Sequence, residues 1–386
     1  MFTFTGGAES MYMGPAGLLV HSITNTPRIE YDASGNCLGL LMEASRTNLC
    51  LQSQDLTTTW VDVNTVVITA NSTTAPDGTL TADTITDNGA GSIKGKEQTF
   101  VVANDSLDHT GSVFILKTSG GTSTTSKLSL LLSGGTPVTT DVYFNTDTGV
   151  VGAGTATVTS YGLYWRLSAK VTNNTTGNTT LRFQYYPAVN THGLYTDSIA
   201  AQGSAIVWGF QLEKASFASS YIPTTTTSVA RTADSCIRTL STEFSATAGT
   251  VVVNVADFIS ADVTANNCIA SLDDATANER FTLQRTNTAG AMRLNVFDGG
   301  VNQAAVDGLS AISTAGVRLA YAYAANDFAI SGNGGAVVTD GAGTLPTVTR
   351  LDLGSRLTGE HLFGHIRRFD YYPKRESNDF LQRASA

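Results

Sequence analysis

Nine glutamates and five histidines are the residues of this 386-residue chain best suited to acid–base or metal chemistry, and their spacing argues against both. A retaining glycoside hydrolase built on a β-sandwich needs two carboxylates about 5–5.5 Å apart, which one strand supplies as an alternating Glu-x-Asp-x-Glu array. Glu9, Glu30, Glu43, Glu97, Glu213, Glu243, Glu279, Glu360 and Glu376 are all isolated, and no such array occurs. Asp273-Asp274 with Glu279 is the nearest acidic cluster, and its Asp-Asp-Ala-Thr-Ala-Asn setting reads as a solvated turn. Neither a G-x-S-x-G elbow nor an H-E-x-x-H pair is present. Of His21, His109, His192, His361 and His365, only the last two approach ligand spacing, and they flank Gly364 in a strand-like stretch. They read as a fortuitous surface pair. Cys37, Cys50, Cys236 and Cys268 are scattered without a C-x-x-C and read as free thiols made in a reducing cytosol. The expectation is a chain that is not an enzyme.

Binding asks for different groups. A carbohydrate site stacks an aromatic ring on the apolar face of a sugar and rings it with Asn, Asp and Gln. Trp60, Tyr185, Tyr186, Tyr195, Tyr371 and Tyr372 are the candidate glycan-contact residues. Large aromatics also fill sandwich interiors, and Trp165 and Trp208, inside strand-like runs, read as core. Strand alternation sends one ring of each adjacent tyrosine pair inward, so at most half of those rings can face a ligand. Asp55, Asp83 and Glu213 are the carboxylates placed to hold a structural calcium. Calcium takes six to eight oxygens, and three scattered acids fall short, so no cofactor or metal is expected. Arg367, Arg368, Lys374 and Arg375 form the only basic cluster and read as a solvated strand face.

The elements that must position these groups are strands. Only 14% of residues are charged, against about 25% in average proteins, and roughly one residue in seven is Thr, which suits half-buried pleated strands. Short strand-like stretches recur along the chain: Ser112–Lys117, Lys127–Leu132, Val142–Phe144, Leu181–Tyr185 and Ile206–Leu212 in the first half, and Thr250–Val253 and Met292–Val296 in the second. Asn145-Thr146-Asp147-Thr148-Gly149 reads as a tight turn, and Asn333-Gly334 predicts a type I′ hairpin between Phe328–Ile330 and Ala336–Val338. Only the last segment, capped by Ser377 ahead of Phe380 and Leu381, reads as a short helix. A polar seam follows Ile222-Pro223. The expected organisation is all-β: an N-terminal arm over 1–48, a jelly-roll sandwich over 49–227, a linker over 228–244 and a second sandwich over 245–386. With a net charge of −9 the chain lacks the basic footprint of a nucleic-acid binder. No apolar run approaches the ~18 residues of a membrane span. The N-terminus, with Glu9 and only Leu18-Leu19-Val20 as an apolar core, predicts no Sec export.

Several motifs, in a shared order, resemble one family. Thr26-Pro27-Arg28-Ile29-Glu30-Tyr31, Gly39-Leu40-Leu41-Met42-Glu43 and Ser45-Arg46-Thr47-Asn48-Leu49 resemble a segment of bacteriophage tail-fibre and other virion proteins that precedes a carbohydrate-binding-module-like jelly roll. Trp60, Ala75-Pro76-Asp77-Gly78-Thr79 and Ala82-Asp83 resemble the opening of that module, and Tyr161-Gly162-Leu163-Tyr164-Trp165-Arg166 its Trp-Tyr-Arg strand with two rings exchanged. Trp208-Gly209-Phe210-Gln211-Leu212-Glu213 and Ser220-Tyr221-Ile222-Pro223-Thr224 resemble its close. The second half, through Asn326-Asp327-Phe328, Gly335–Thr339, Gly364–Arg368 and Tyr371-Tyr372-Pro373, is similar to concanavalin A-like (laminin-G-like) jelly rolls of the same proteins. The resemblance implies a virion protein of a tail fibre, head fibre or similar appendage, made in the host cytoplasm. It would dock on other virion proteins through residues 1–48, adhere to bacterial surface polysaccharide, and form a homo-oligomer, often a trimer. The same folds also serve purely architectural or decorating roles, and a polysaccharide depolymerase is the third reading.

Overall fold

Alternation of apolar and polar residues produces antiparallel strands along the whole chain, and they stack as two sandwiches. The computed structural model describes residues 1–118, 124–259, 266–287, 290–309, 314–357 and 359–386. In the first sandwich, sheet I runs Val151–Ala153, Val138–Asn145, Thr125–Ser133, Thr180–Asn190, Gly95–Val101, Val61–Val63. Sheet II runs Ala156–Tyr161, Tyr164–Thr172, Asp108–Leu116, Gly203–Glu213, Ala82–Asp87, Val67–Thr73. Leu128, Leu130, Phe183 and Tyr185 of sheet I meet Val113, Ile115, Leu167 and Val207 of sheet II in one core.

The second sandwich draws on both ends of the chain. Sheet III runs Thr3–Thr5, Ser235–Thr239, Arg350–Leu353, Asn267–Asp273, Arg280–Arg285, Met292–Asp298, Val301–Leu309. Sheet IV runs Val338–Asp340, Asp327–Gly332, Ala315–Ala324, Ala248–Phe258, Gly364–Tyr372, Cys37–Met42, Ile29–Tyr31. Met292, Leu294 and Val296 point into the core as their alternation predicts. The Val251-Val252-Val253 run breaks alternation because both of its faces are covered. Val251 and Val253 enter the core, and Val252 lies under the C-terminal helix Asn378–Ala384 with Leu381. Ser377 caps that helix as expected, its Oγ accepting from Phe380 N at 3.2 Å.

Four features differ from the sequence reading. Residues 1–48 are not a free-standing arm. Three of their strands pair into sheets III and IV, and the hairpin Met11–Met13/Leu19–His21 lies on the outer face of sheet II, packing Met11 and Leu19 on Phe114, Tyr164, Trp208 and Tyr221. Strands of three residues carry too little periodicity to read. Gly39 shows why the Gly-Leu-Leu motif needs glycine: at φ 121° its Cβ would sit 2.4 Å from the Ile366 carbonyl oxygen of the neighbouring strand. The stretch 228–244 likewise holds two strands, Val229–Arg231 against Arg46–Asn48 and Ser235–Thr239 inside sheet III.

The third difference is in the acids and imidazoles. Asp273 is a buried strand end rather than a solvated turn residue. Arg350 Nε donates to its Oδ1 at 2.6 Å, and burial together with the Asp273 charge raises the neighbouring Asp352 to about 7 despite Arg350. His361 and His365 are not a surface pair either: burial, with Arg231 and Arg46 nearby, lowers His361 to about 4, and His365 is almost wholly enclosed. Fourth, Asn333 and Gly334 do take positive φ, at 47° and 71°, but pairing resumes only at Val338, giving a wider connection than two residues. All four cysteines are free, with Cys37 alone exposed.

Candidate functional site at the junction of the sandwiches

The residues of the N-terminal motifs converge where the two sandwiches meet. Two guanidiniums and two carboxylates, all fully buried, form a charge-balanced cluster. Arg28 Nη1 donates to Glu43 Oε2 at 2.8 Å and Arg28 Nη2 to Asp234, while Arg231 lies 3.6 Å from Glu43 and 3.8 Å from Asp234. Glu43 also accepts from Ser220 N (2.9 Å) and Ser220 Oγ (2.6 Å), which ties the closing segment of the first sandwich to the opening segment of the second. Burial opposes ionisation of Glu43, yet Arg231, Arg28 and the Ser220 donors hold it well below the usual carboxylate range. Burial outweighs the same cations at Asp234, which is raised.

The other motif residues are connectors of the same kind. Asn48 uses both ends of its amide: Nδ2 donates to the carbonyls of Phe210 (3.1 Å) and Ile222 (2.8 Å), and Oδ1 accepts from Cys50 N and Leu212 N, both at 3.0 Å. Gln211 Oε1 accepts from Ile222 N at 2.7 Å, and Glu213 from Ser219 N and Oγ. The Arg46 guanidinium lies over Phe217 of the first half and Phe363 of the second, 5.3 and 4.6 Å from their centroids.

Beside this cluster a cleft of about 610 Å³ opens between sheet II, the N-terminal segment and sheet IV. Thr157, Thr159 and Arg166 form one wall, and Glu30, Tyr31 and His365 stand opposite. Tyr31, Tyr161 and Phe217 line it and are half-buried. The size lies within the roughly 300–1,000 Å³ of small-molecule pockets.

His365 is the one imidazole of this cleft, and its geometry fixes its charge. Nδ1 sits 2.5 Å from Asp257 Oδ1 and Nε2 2.7 Å from Glu30 Oε2. Both partners are acceptors, so both nitrogens donate and the ring is an imidazolium. Burial alone would lower its pKa, but the hydrogen bonds and charges of Asp257 and Glu30 raise it to about 10. With no free nitrogen and a proton held through neutral pH, this ring neither abstracts a proton nor ligates a metal. A group whose folded pKa exceeds the unfolded value of about 6.5 stabilises fully below 6.5 and loses that contribution as pH climbs to about 10. The melting-temperature advantage of the parent over His365→Asn should therefore shrink by several degrees between about pH 6 and pH 10. An advantage constant across that window would rule out the ion triad.

The six aromatic candidates lie elsewhere. Trp60 and Tyr185 are interior side chains of the first sandwich, Trp60 packing 4.5 Å from Phe210, and neither offers a ring face to a ligand. Tyr186 points to the opposite side of sheet I, as alternation requires. There Lys127 Nζ covers it at 4.9 Å, itself also 5.5 Å from Tyr143 and ion-paired with Asp197 at 2.7 Å. Tyr195 lies against Gly152, where a Cβ would meet its ring at 2.2 Å. Tyr371 stacks on Phe244 and accepts from Ser245 N at 2.9 Å, and Tyr372 meets Phe380 of the C-terminal helix edge-on. None of the six lines the cleft. Trp208 is buried on the outer side of sheet II, and Trp165, half-buried, donates to the Thr146 carbonyl at 3.0 Å.

The carboxylates weighed for calcium are spent on their own chain. Asp83 accepts from Leu56 N and Asn71 N, Asp55 from Thr57 and Thr58, and Glu213 from Ser219. Among the described residues no group of three or more His, Cys, Asp or Glu is placed to hold a metal ion. In the basic stretch Arg368 pairs with Asp370, Lys374 with Glu376 and Arg375 with Asp327.

No protein-family model matches the sequence, and comparison with curated proteins returns no match. Among solved structures the chain is similar to the CBM40 module of the Ruminococcus gnavus intramolecular trans-sialidase, at 20% identity and a TM-score of 0.32, covering 37% of this chain and 84% of that one. Domains LG4-5 of the mouse laminin α1 chain align at 10% identity and a TM-score of 0.28 over 71% of this chain and 85% of that one. The CBM22-1–GH10 modules of Clostridium thermocellum xylanase 10B align at 16% identity and a TM-score of 0.28 over 46% of this chain and 30% of that one.

Proposed function

We propose that this chain is a non-catalytic structural protein of a bacteriophage virion appendage, such as a tail or head fibre, that adheres to glycans of the bacterial surface. The observation that carries the adhesive part is the junction cleft, whose half-buried rings and threonine hydroxyls suit the apolar face and the rim of a sugar. The one imidazole in it is a locked imidazolium and Glu30 is engaged by it, which leaves that pair for structure rather than turnover. The virion assignment rests on the ordered motifs of the sequence. Oligomerisation, often trimeric in the resembling fibres, would multiply weak sites into avidity. A purely architectural role is the second reading, favoured by how completely the motif residues are used to lock the two sandwiches together.

The test is an array of bacterial surface polysaccharides probed with the full chain and with Thr157→Trp, which fills the cleft mouth from an exposed position. Saturable binding to a polysaccharide that the variant loses, without release of reducing ends, is the expected result. Absence of binding on every polysaccharide would leave the architectural role, and release of reducing ends would make the protein a depolymerase.

A further inference from the structure

Arg166 is the anomaly of the cleft. It stands on the strand Tyr164–Thr172, in register between Phe114 and Thr159, and is only 7% exposed. Its guanidinium donates through Nη2 to Ser112 Oγ at 3.1 Å, also hydrogen-bonds the Tyr161 hydroxyl and lies 5.2 Å from the centroid of Phe114, while its Nε is buried without a partner. Among the described residues no carboxylate lies within ion-pair distance of it. The nearby acids are committed: Glu43 to Arg28 and Ser220, and Glu30 to His365 and to Met13 N. A buried charge left unpaired is costly, and proteins retain such groups where something else completes them. The arginine fork presents parallel donors that match a carboxylate.

We infer that the junction cleft takes a saccharide bearing a carboxylate, with Arg166 as the anchor for that group and the rings of Tyr31, Tyr161 and Phe217 bordering the sugar. The inference rests on the adhesive reading of the cleft and adds the chemical class of its ligand. It distinguishes this site from an array of hydroxyl contacts, which would take neutral and acidic sugars alike.

The experiment is calorimetric titration of the full chain with methyl β-D-glucuronide and with its neutral counterpart, methyl β-D-glucoside. The acid should bind about tenfold more tightly or better, with an advantage that falls as NaCl rises from about 50 to 500 mM. Arg166→Gln should erase the difference. Thr159→Trp, an exposed substitution directly across the strand pair from Arg166, should block both sugars and keeps the test valid if the arginine variant fails to fold. Equal affinity for the two sugars, unchanged by Arg166→Gln, overturns the carboxylate assignment and leaves the glycan cleft standing. If neither sugar binds, the carboxylate assignment is overturned, and the polysaccharide array alone decides the adhesive reading.

Discussion

Removing residues 1–48 is expected to destroy the second sandwich rather than to release a docking arm. The truncation takes Thr3–Thr5 from the edge of sheet III and both Ile29–Tyr31 and Cys37–Met42 from sheet IV. It empties the core positions of Phe4 and Met42 and takes Glu43 from Arg231 and Arg28 from Asp234. It also uncovers Phe114, Tyr164 and Trp208 on the outer face of sheet II. Each of these is a large destabilisation by itself. Scanning calorimetry of 49–386 against the full chain should show a deficit of about 145 kcal/mol in unfolding enthalpy, the share of roughly 200 residues, deleted or no longer folded, at ~0.7 kcal/mol each. A truncated chain that melts at the parental temperature with the parental enthalpy would show that the N-terminal strands are appendages after all.

The second large effect lies in the buried charge cluster. Glu43→Ala should cost about 3–5 kcal/mol, because Arg28 and Arg231 would remain enclosed with Asp234 as their only carboxylate. It would also leave Ser220 N and Oγ without their acceptor. Urea unfolding measures the loss. The paired replacement Arg28→Met with Glu43→Leu should cost much less than the two single changes added together, since it removes a cation and an anion at once and leaves Arg231 facing Asp234. Additive losses would mean that the four groups do not act as a unit.

What the sequence disclosed depended on the range over which each feature is decided. Strand positions such as Met292, Leu294 and Val296 are fixed by neighbours two residues away, and their period was readable. So were the Ser377 cap and the Asn145–Gly149 turn, where Asn145 Oδ1 accepts from Asp147 N and Thr148 N within the turn itself. Partners chosen across the fold were not. Arg28 and Asp234 meet over a separation of 206 residues, and His365 and Glu30 over 335, so nothing local marked either as buried. The motifs around Arg28, Glu43 and Asn48 were visible as a pattern, while their role as connectors emerged only with their contacts. Aromatic residues suit ligand stacking and core filling alike, and sequence does not separate the two. Trp60 and Tyr185 went to the interior instead, where burying a large ring stabilises most. The cleft has no signature in the sequence because its walls come from separate segments on two sandwiches, and Arg166 is unusual only once its contacts in the fold are known.

The strand Cys37–Met42 has a consequence for biosynthesis. It leaves the ribosome early, yet its partner beginning at Gly364 is made more than 300 residues later. At ~5–20 residues per second of synthesis that wait lasts roughly 20 seconds to a minute, during which the first sandwich can close around its own core. Ile29–Tyr31 can pair one edge of this strand at once, but the other edge must stay soluble and unmatched throughout, and the polar Thr and Ser positions nearby help to keep it from pairing with other nascent chains. Closure of the second sandwich is thus a stitching step that waits for the strand Gly364–Tyr372, and slow translation or release before it would leave a half-finished sandwich prone to aggregation.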